Sequence, residues 1–304
     1  RYANERGLSI MGDVPIYCAH ASVDVWAAQQ MFQLADDGMP LAVAGVPPDY
    51  FSATGQRWGN PLYDWSVHRQ EGFKWWVRRV GSALRRCDLL RLDHFRALES
   101  FWRIPAHDPD ATTGSWVPGP GRAFFDALQV QLGQLPLLVE DLGTIDEQVR
   151  ALRDSYQLPG MCVLQFAFDG DPNNPYLPHA QSANRVIYTG THDNDTAVGW
   201  WQTASRAERR KCRSYLNFRS QDIHRVLCRA AAASVCNLAI IPMQDLLGLG
   251  TQARMNHPGH ASDQWQWRFD WASLTASDSR FLRDMTSLYG RAAPDTDLNH
   301  EALS

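Results

Sequence analysis

Short apolar runs that end in polar residues recur along this 304-residue chain, and they span residues 8–17, 89–93, 136–141, 161–168, 186–193 and 238–245. Segments with apolar residues at helical spacing lie between several of these runs. This alternation predicts an α/β fold in which crossover helices connect parallel strands. A (β/α)8 barrel needs eight strands and a doubly wound sheet about six, so the six runs alone do not decide between these two folds.

Three features predict where helices begin and extend. Apolar residues at the spacing of one helix face predict an amphipathic helix before the second run; they are Phe73, Trp76, Val77, Val80 and Leu84. The pair Thr144 and Glu147 predicts a capping box at one helix start, and Ser205 with Glu208 predicts another. The Ala-rich residues 221–236 predict a further helix directly before the last run.

Three Gly- and Pro-rich stretches interrupt the strand–helix rhythm, at residues 38–65, 109–121 and 170–184. The pattern indicates long loops without secondary structure. Loops of this length in a compact domain are usually functional, and those that follow the strands of a barrel carry its active site.

Composition excludes several classes of protein. The net charge of −4 is not that of a nucleic-acid binder, and no apolar run approaches the ~20 residues of a membrane span. The six cysteines form no CxxC pair, which indicates buried thiols in a reducing compartment and predicts a cytoplasmic protein. Many of the 12 Trp, 12 Phe and 9 Tyr lie in loops, where flat aromatic faces suit a sugar ring.

Carboxylates follow three of the predicted strands, at Asp93, Glu140 and Asp193. A single strand-end acid is often a helix cap or an ion-pair partner. Three such acids with nearby His and Arg also suit glycosidic chemistry, in which one carboxylate is the nucleophile and a protonated carboxyl assists the leaving oxygen. The pattern alone leaves both interpretations open. Asp141 is expected to support the neighbouring acid, and Asp245 to belong to the structural end of the last strand.

Seven segments carry a family resemblance: GDVPIY at 12–17, VPPDYFSATGQRWGNPLY at 46–63, RLDHFR at 91–96, VEDLG at 139–143, VLQFAF at 163–168, THDNDT at 191–196 and ARMN at 253–256. They resemble, in order and over nearly the whole chain, the amylomaltases. These are the 4-α-glucanotransferases, or disproportionating enzymes, of glycoside hydrolase family 77 in the α-amylase superfamily.

The resemblance implies a (β/α)8 TIM barrel that is incomplete here, with strands 3–8, their helices and long inserted loops present and strands 1–2 absent. Residues 1–304 are then the C-terminal part of the catalytic barrel, about three-fifths of a longer enzyme. Residues 18–87 include an inserted loop subdomain over the acceptor side. On its own, such a piece is expected to expose a sheet edge and to fold poorly.

The resemblance also assigns the catalytic roles. Asp93 matches the nucleophile, Glu140 the general acid and base, and Asp193 the carboxylate that stabilises the transition state. For a retaining mechanism, we expect the carboxyl groups of Asp93 and Glu140 to lie ~5–5.5 Å apart. Burial and the nearby negative charges of Asp93 and Asp193 are expected to raise the pKa of Glu140, while the Arg91 charge keeps Asp93 ionised.

The same matching motifs predict the substrate-binding residues, which are Asp13, Asp49, Phe51, Gln56, Trp58, Arg91, His94, Phe166, His192 and Asn256. The loop at 46–63 is expected to overhang the acceptor side and to exclude water. For Trp58, Phe166 and Asn256, structural packing is the alternative interpretation.

The predicted activity is therefore transfer of an α-1,4-glucan segment to the 4-hydroxyl of another glucan or of glucose, through a covalent glucosyl-enzyme. The expected partners are malto-oligosaccharides and other α-1,4-glucans with glucose as an acceptor, and neither nucleic acid nor membrane. No cofactor and no metal is predicted. Two alternatives remain: an α-1,4-glucan hydrolase with the same carboxylates, and an inactive truncated fragment that binds glucan.

Overall fold

The computed structural model describes residues 1–48, 52–259 and 262–292. The strands are β1 (Met11–Val14), β2 (Ala42–Val46), β3 (Gln56–Pro61), β4 (Leu89–Leu92), β5 (Ser100–Pro105), β6 (Ser115–Pro118), β7 (Leu137–Val139), β8 (Gly160–Val163), β9 (Arg185–Tyr188) and β10 (Leu238–Ile240). The α-helices are α1 (Val23–Ala27), α2 (Trp65–Gln70), α3 (Lys74–Leu84), α4 (Arg122–Leu132), α5 (Glu147–Ser155), α6 (Ala197–Thr203), α7 (Arg206–Leu216), α8 (Ile223–Ala232), α9 (Met243–Leu246) and α10 (Ala276–Leu288). The chain divides into two compact units, Arg1–Met161 and Cys162–Ser304.

The first unit contains a parallel sheet in the order β1-β4-β7. Each of these strands coincides with a predicted apolar run, and each is followed by polar residues. The register places Asp13 of β1 directly beside Arg91 of β4, and Leu92 beside Val139 of β7. Because the strands are parallel, their carboxyl ends meet at one edge of the sheet, where Asp93 and Glu140 emerge.

An antiparallel sheet in the order β3-β2-β5-β6 lies in the same unit. Two stretches predicted as structureless loops, 38–65 and 109–121, contribute β2, β3 and β6 to this sheet, so that prediction was wrong. The glycines that suggested loops here allow close strand approach: a Cβ at Gly45 would collide with the carbonyl oxygen of Gln56 on the neighbouring strand.

An aromatic core holds the first unit together. Trp76 of α3 is fully buried and packs edge-on against Tyr63 and Phe124, with ring centroids 5.3 Å apart in both pairs. Phe124 belongs to α4, which packs beside α3. The predicted amphipathic helix before β4 is therefore confirmed, and its apolar face is the one that is buried.

The second unit has its own sheet, in the order β10-β9-β8, with β9 and β10 parallel. Its separate core includes Phe168, Ile187 and Leu227. The predicted helix within 221–236 is observed as α8, and no strand forms in 170–184, which agrees with its prediction as a loop. None of the helices in the described parts of the chain has the length and apolar character that crossing a bilayer requires.

One of the two predicted capping boxes is confirmed. The Glu208 N–H donates to Ser205 Oγ and the Ser205 N–H donates to Glu208 Oε2 at the start of α7. The box at Thr144 was wrong, because Asp146 caps α5 by accepting a hydrogen bond from the Val149 N–H. Asp is as good a cap as Thr and stands at the position directly before the helix.

A buried ion pair joins β7, α5 and β8. The Asp141 carboxylate, 1% exposed, accepts a hydrogen bond from Arg153 at 2.5 Å and another from the Met161 N–H at 2.7 Å. Gly160 permits this approach, since a Cβ there would overlap the Asp141 carboxylate. Asp141 therefore anchors the next strand, and its expected support of the neighbouring acid Glu140 stays a prediction.

Replacing Arg153 by Met should leave the Asp141 charge buried without its cation, which costs about 3–5 kcal/mol of unfolding free energy. Arg150→Met is the matched control, because Arg150 lies exposed on the same helix. Urea unfolding of the complete protein measures both variants. Equal unfolding midpoints for the two would contradict a stabilising role for this pair.

Candidate active site

Arg91 lies between two carboxylates because of strand geometry. Side chains two residues apart on a strand share a face, so Arg91 and Asp93 point to the same side, and the register brings Asp13 alongside. Arg91 Nη1 lies 2.9 Å from Asp93 Oδ1 and 2.9 Å from each Asp13 carboxylate oxygen. The guanidinium side chain is only 7% exposed, whereas those of Asp93 and Asp13 are 35% and 44% exposed.

The carboxylates outweigh the cost of burying this cation. Desolvation disfavours the charged guanidinium, yet the negative charges of Asp93, Asp13 and Glu140 raise the pKa of Arg91 above its ordinary value. Arg91 Nε also lies 3.4 Å from the thioether sulfur of Met161, a weak acceptor. Arg91 is thus a permanent positive charge beneath Asp93.

Glu140 follows β7 and receives two backbone hydrogen bonds. The His94 N–H donates to Oε2 and the Leu142 N–H to Oε1, each at 2.8 Å. Burial and the Asp93 charge nevertheless raise the pKa of Glu140 to about 7, against the opposing effects of Arg91 and the two N–H groups. The direction of this shift, its origin in burial and the effect of Asp93 agree with the expectation from sequence. Near pH 7 this carboxyl group can both give and take a proton.

His94 has a left-handed backbone, with φ of 47°. This conformation, which is unfavourable for a residue with a Cβ, accompanies the hydrogen bond from its N–H to Glu140. Burial lowers the pKa of the His94 imidazole to about 4, so the ring is neutral at pH 7. Within the described structure, the buried Nε2 has no protein hydrogen-bond partner.

The segment at 46–63 contacts His94 through Trp58. The two rings meet edge to face with centroids 4.8 Å apart, and Trp58 Nε1 donates a hydrogen bond to Gln56 Oε1 at 3.0 Å. Both predicted residues therefore lie on β3, and Trp58 contacts the residue whose N–H donates to Glu140. The predicted residues Asp49 and Phe51 lie outside the described residues.

In the second unit, Asp193 follows β9 and is held by three neighbours. Asn256 Nδ2 donates to Asp193 Oδ1 at 2.6 Å, and His192 Nε2 lies 3.3 Å from Oδ2. Arg254 Nη2 donates to the Asp193 carbonyl oxygen at 2.7 Å. The structure thus brings together three predicted residues of this unit, His192, Asp193 and Asn256.

Two further residues of the second unit, Phe166 and Asp245, make contacts that stabilise the fold. Phe166 lies on the turn after β8 and packs against Tyr176, with ring centroids 5.5 Å apart. Asp245 was expected at the structural end of the last strand; it lies in α9, where it is buried and accepts hydrogen bonds from Thr189 Oγ1 and from the Ala197 N–H, so it joins the end of β9 to α6. Within the described ranges, no three or more His, Cys, Asp or Glu side chains form a group that could hold a metal ion.

Sequence reasoning missed Arg254 and Met161. Arg254 belongs to the ARMN segment, from which only Asn256 is predicted to bind substrate. Its position two residues before Asn256 could have indicated that Arg254 lies near the site too. Met161 gave no signal, because its contact with Arg91 depends on side-chain packing across the sheet.

The left-handed backbone at His94 can be tested apart from its ring. His94→Asn and His94→Val both remove the imidazole, but Asn tolerates this conformation and a β-branched residue does not. We expect the Val variant to be less stable than the Asn variant by about 1–2 kcal/mol. Displacing the N–H also removes a bond to the charged carboxylate, so the pKa of Glu140 should rise further above about 7 in the Val variant.

Urea unfolding measures the stability of these two variants, and carboxyl ¹³C NMR measures the pKa of Glu140, with Glu140→Gln assigning the signal. Equal stability and equal pKa in the Asn and Val variants would show that the backbone conformation has no such role.

Comparison with known proteins identifies the family of this chain. The family model described as 4-alpha-glucanotransferase matches residues 1–275. The chain is 50% identical to a 4-alpha-glucanotransferase of Synechocystis over 97% of this chain and 59% of the relative, and 48% identical to the chloroplastic/amyloplastic one of Solanum tuberosum over 95% and 51%. The chain thus spans between half and three-fifths of the length of these curated relatives.

Solved structures agree with the fold. The amylomaltase from Streptococcus agalactiae in complex with acarbose has a TM-score of 0.93 and 38% identity, over 96% of this chain and 59% of that one. The amylomaltase from Corynebacterium glutamicum, at 18% identity and a TM-score of 0.75 over 95% of this chain and 46% of that one, shows likeness of fold alone. The predicted fold class, part of a (β/α)8 barrel, is confirmed. On its sequence match and its structure, this chain belongs to the 4-α-glucanotransferase family, glycoside hydrolase family 77.

Proposed function

We propose that the protein is a 4-α-glucanotransferase that moves a segment of an α-1,4-glucan onto the 4-hydroxyl of another glucan or of glucose. The observation that carries this proposal is that two neighbouring strand-end acids, Asp93 and Glu140, have different electrostatic surroundings. Asp93 is paired with the buried Arg91, while the pKa of Glu140 is raised to about 7. Retaining glycosyl transfer needs one ionised nucleophile and one acid that can hold a proton.

In the first half-reaction, protonated Glu140 donates its proton to the glycosidic oxygen as the bond to the anomeric carbon breaks. Asp93 attacks that carbon from the opposite face and forms a β-glucosyl ester, while the shortened glucan leaves. The attacking carboxylate of Asp93 is paired with the positive Arg91.

In the second half-reaction, Glu140 is a carboxylate and removes the proton from the 4-hydroxyl of the acceptor. The acceptor oxygen attacks the anomeric carbon and displaces Asp93, which restores both side chains. Two inversions leave the new bond in the α configuration. A pKa near 7 suits both roles, because the same group must give and take a proton in one cycle.

Asp193 is proposed to bind the hydroxyls of the donor sugar and to favour its oxocarbenium-like form. Asn256 and His192 orient its two carboxylate oxygens. His94 is proposed to bind the donor sugar too. Its ring is neutral at pH 7 and therefore adds no charge near Asp93, and within the described structure its Nε2 has no protein hydrogen-bond partner.

Transfer instead of hydrolysis requires a sugar hydroxyl to reach the ester before water does. Gln56 and Trp58, with Asp49 and Phe51, are proposed to bind the acceptor from a subdomain within residues 18–87. The contact of Trp58 with His94 supports this placement, because it brings an apolar ring beside the group that is hydrogen-bonded to Glu140.

The proposed substrates are malto-oligosaccharides, with no cofactor. Acarbose in the Streptococcus agalactiae relative supports a carbohydrate ligand. A cytoplasmic location is proposed as well, and the six cysteines, none of them in a disulfide, support a reducing compartment.

The complete protein, incubated with maltotriose alone, should produce glucose and a ladder of longer maltodextrins. Asp93→Asn should lower this activity by at least about 10³-fold, because the amide cannot form the ester. Chromatography of the products measures both. Glucose and maltose without longer products would instead indicate hydrolysis, and no product at all would contradict the proposal. Asp284→Asn, at an exposed carboxylate on α10, is the matched control and should keep the ladder.

The pH profile should report Glu140. The proton donor is the protonated form, so kcat/KM should fall about tenfold per pH unit as pH rises above about 7. Initial rates on maltotriose between pH 5 and 9 measure this limb. In Glu140→Gln, the remaining activity should no longer fall as the pH rises above about 7. An unchanged alkaline limb in that variant would assign the titration to another group.

A further inference from the structure

Residues 262–265 contain two side chains on unfavourable backbone. Asp263 and Trp265 have φ of 59° and 60°, in the left-handed region that favours glycine. Hydrogen bonds hold the chain in this form: the Trp265 N–H donates to the Met255 carbonyl oxygen at 2.7 Å, and Arg268 donates to the Trp265 carbonyl oxygen at 2.7 Å. The surrounding chain therefore maintains a conformation that the residue itself disfavours.

Core packing does not account for this strain. The Trp265 residue is 49% exposed, and it does not belong to the buried core of the second unit. Backbone strain that persists without burial is typical of residues placed for a ligand. Trp271, which follows soon after in the sequence, differs from Trp265 in its backbone: it is 77% exposed, and its φ is not in the left-handed region.

The exposed ring lies beside the second-unit carboxylate. Trp265 packs against His192 with ring centroids 5.0 Å apart and an interplanar angle of 39°. His192 Nε2 faces Asp193 Oδ2, and Asn256 donates to Oδ1. One patch of the second unit thus combines a flat apolar face, an imidazole, a carboxylate and an amide.

This combination matches the surface of a pyranose, whose axial hydrogens form an apolar face and whose rim carries hydroxyls. We propose that Trp265 is a sugar-binding platform on which one glucose unit of the α-glucan stacks while Asp193 and His192 bind its hydroxyls. The proposal rests on the proposed function for its substrate class. It adds a binding residue that the motif comparison did not select.

A different role for Trp265 would be to position the His192 ring without contacting sugar. The two roles predict different kinetics. A platform contributes binding energy alike to bound substrate and transition state, so its loss raises KM and leaves kcat nearly unchanged. A residue that only positions His192 would lower kcat with little change in KM.

The first test uses side-chain modification in the complete protein with Asp93→Asn, which prevents turnover. N-bromosuccinimide oxidises exposed tryptophans, and peptide mass spectrometry reads each one separately. Saturating maltoheptaose should slow oxidation of Trp265 about tenfold or more and leave Trp271 unchanged as the internal control. Equal oxidation of Trp265 with and without maltoheptaose would overturn the proposal.

The second test uses variants in the active background. Trp265→Leu should raise the KM for maltoheptaose about tenfold with kcat within about twofold, Trp265→Phe should recover most of the affinity, and Trp271→Leu should match the parent protein. A fall in kcat at constant KM in Trp265→Leu would overturn the platform and favour positioning.

These outcomes separate the inference from the proposed function. A parent protein that makes the maltodextrin ladder, with Trp265 neither protected nor affecting KM, would overturn the platform alone. A parent protein that makes no ladder would overturn the proposed function, while protection of Trp265 by maltoheptaose would still establish the binding site.

Discussion

The candidate site depends on one buried cation. Arg91 lies within the parallel sheet of the first unit, where a guanidinium without counter-charges would cost several kcal/mol. Asp13 and Asp93 supply those charges from the same face of the sheet, so both carboxylates offset the cost of burying the guanidinium. The charge of Asp93, which the chemistry needs, therefore also stabilises the buried Arg91.

The surroundings that favour a charged Arg91 favour a protonated Glu140. Its two backbone hydrogen bonds and Arg91 favour the charged form, but burial and Asp93 prevail and raise its pKa. Small changes in any of these five effects would alter the protonation state of Glu140 near pH 7. One of them, the hydrogen bond from the His94 N–H, comes from a residue with a left-handed backbone.

Sequence patterns predicted the parts of the structure that local signals encode. The six apolar runs all became strands, because buried parallel strands need continuous apolar residues. Asp93, Glu140 and Asp193 were identified from strand ends and family motifs. The strands β2, β3 and β6 were missed, since their glycines and prolines resemble loop sequence and their pairing is non-local. The left-handed backbones at His94 and Trp265 were also missed, because surrounding contacts impose them against local preference.

The register between β1 and β4 has a consequence for folding. A slip of one residue would turn Asp13 to the opposite face and set an apolar neighbour against the buried guanidinium. Apolar strands such as these tolerate misalignment in their van der Waals contacts, whereas an unpaired internal charge is not tolerated. The salt bridge between Asp13 and Arg91 therefore favours the observed register over one shifted by a residue, a distinction that hydrophobic contacts alone make only weakly.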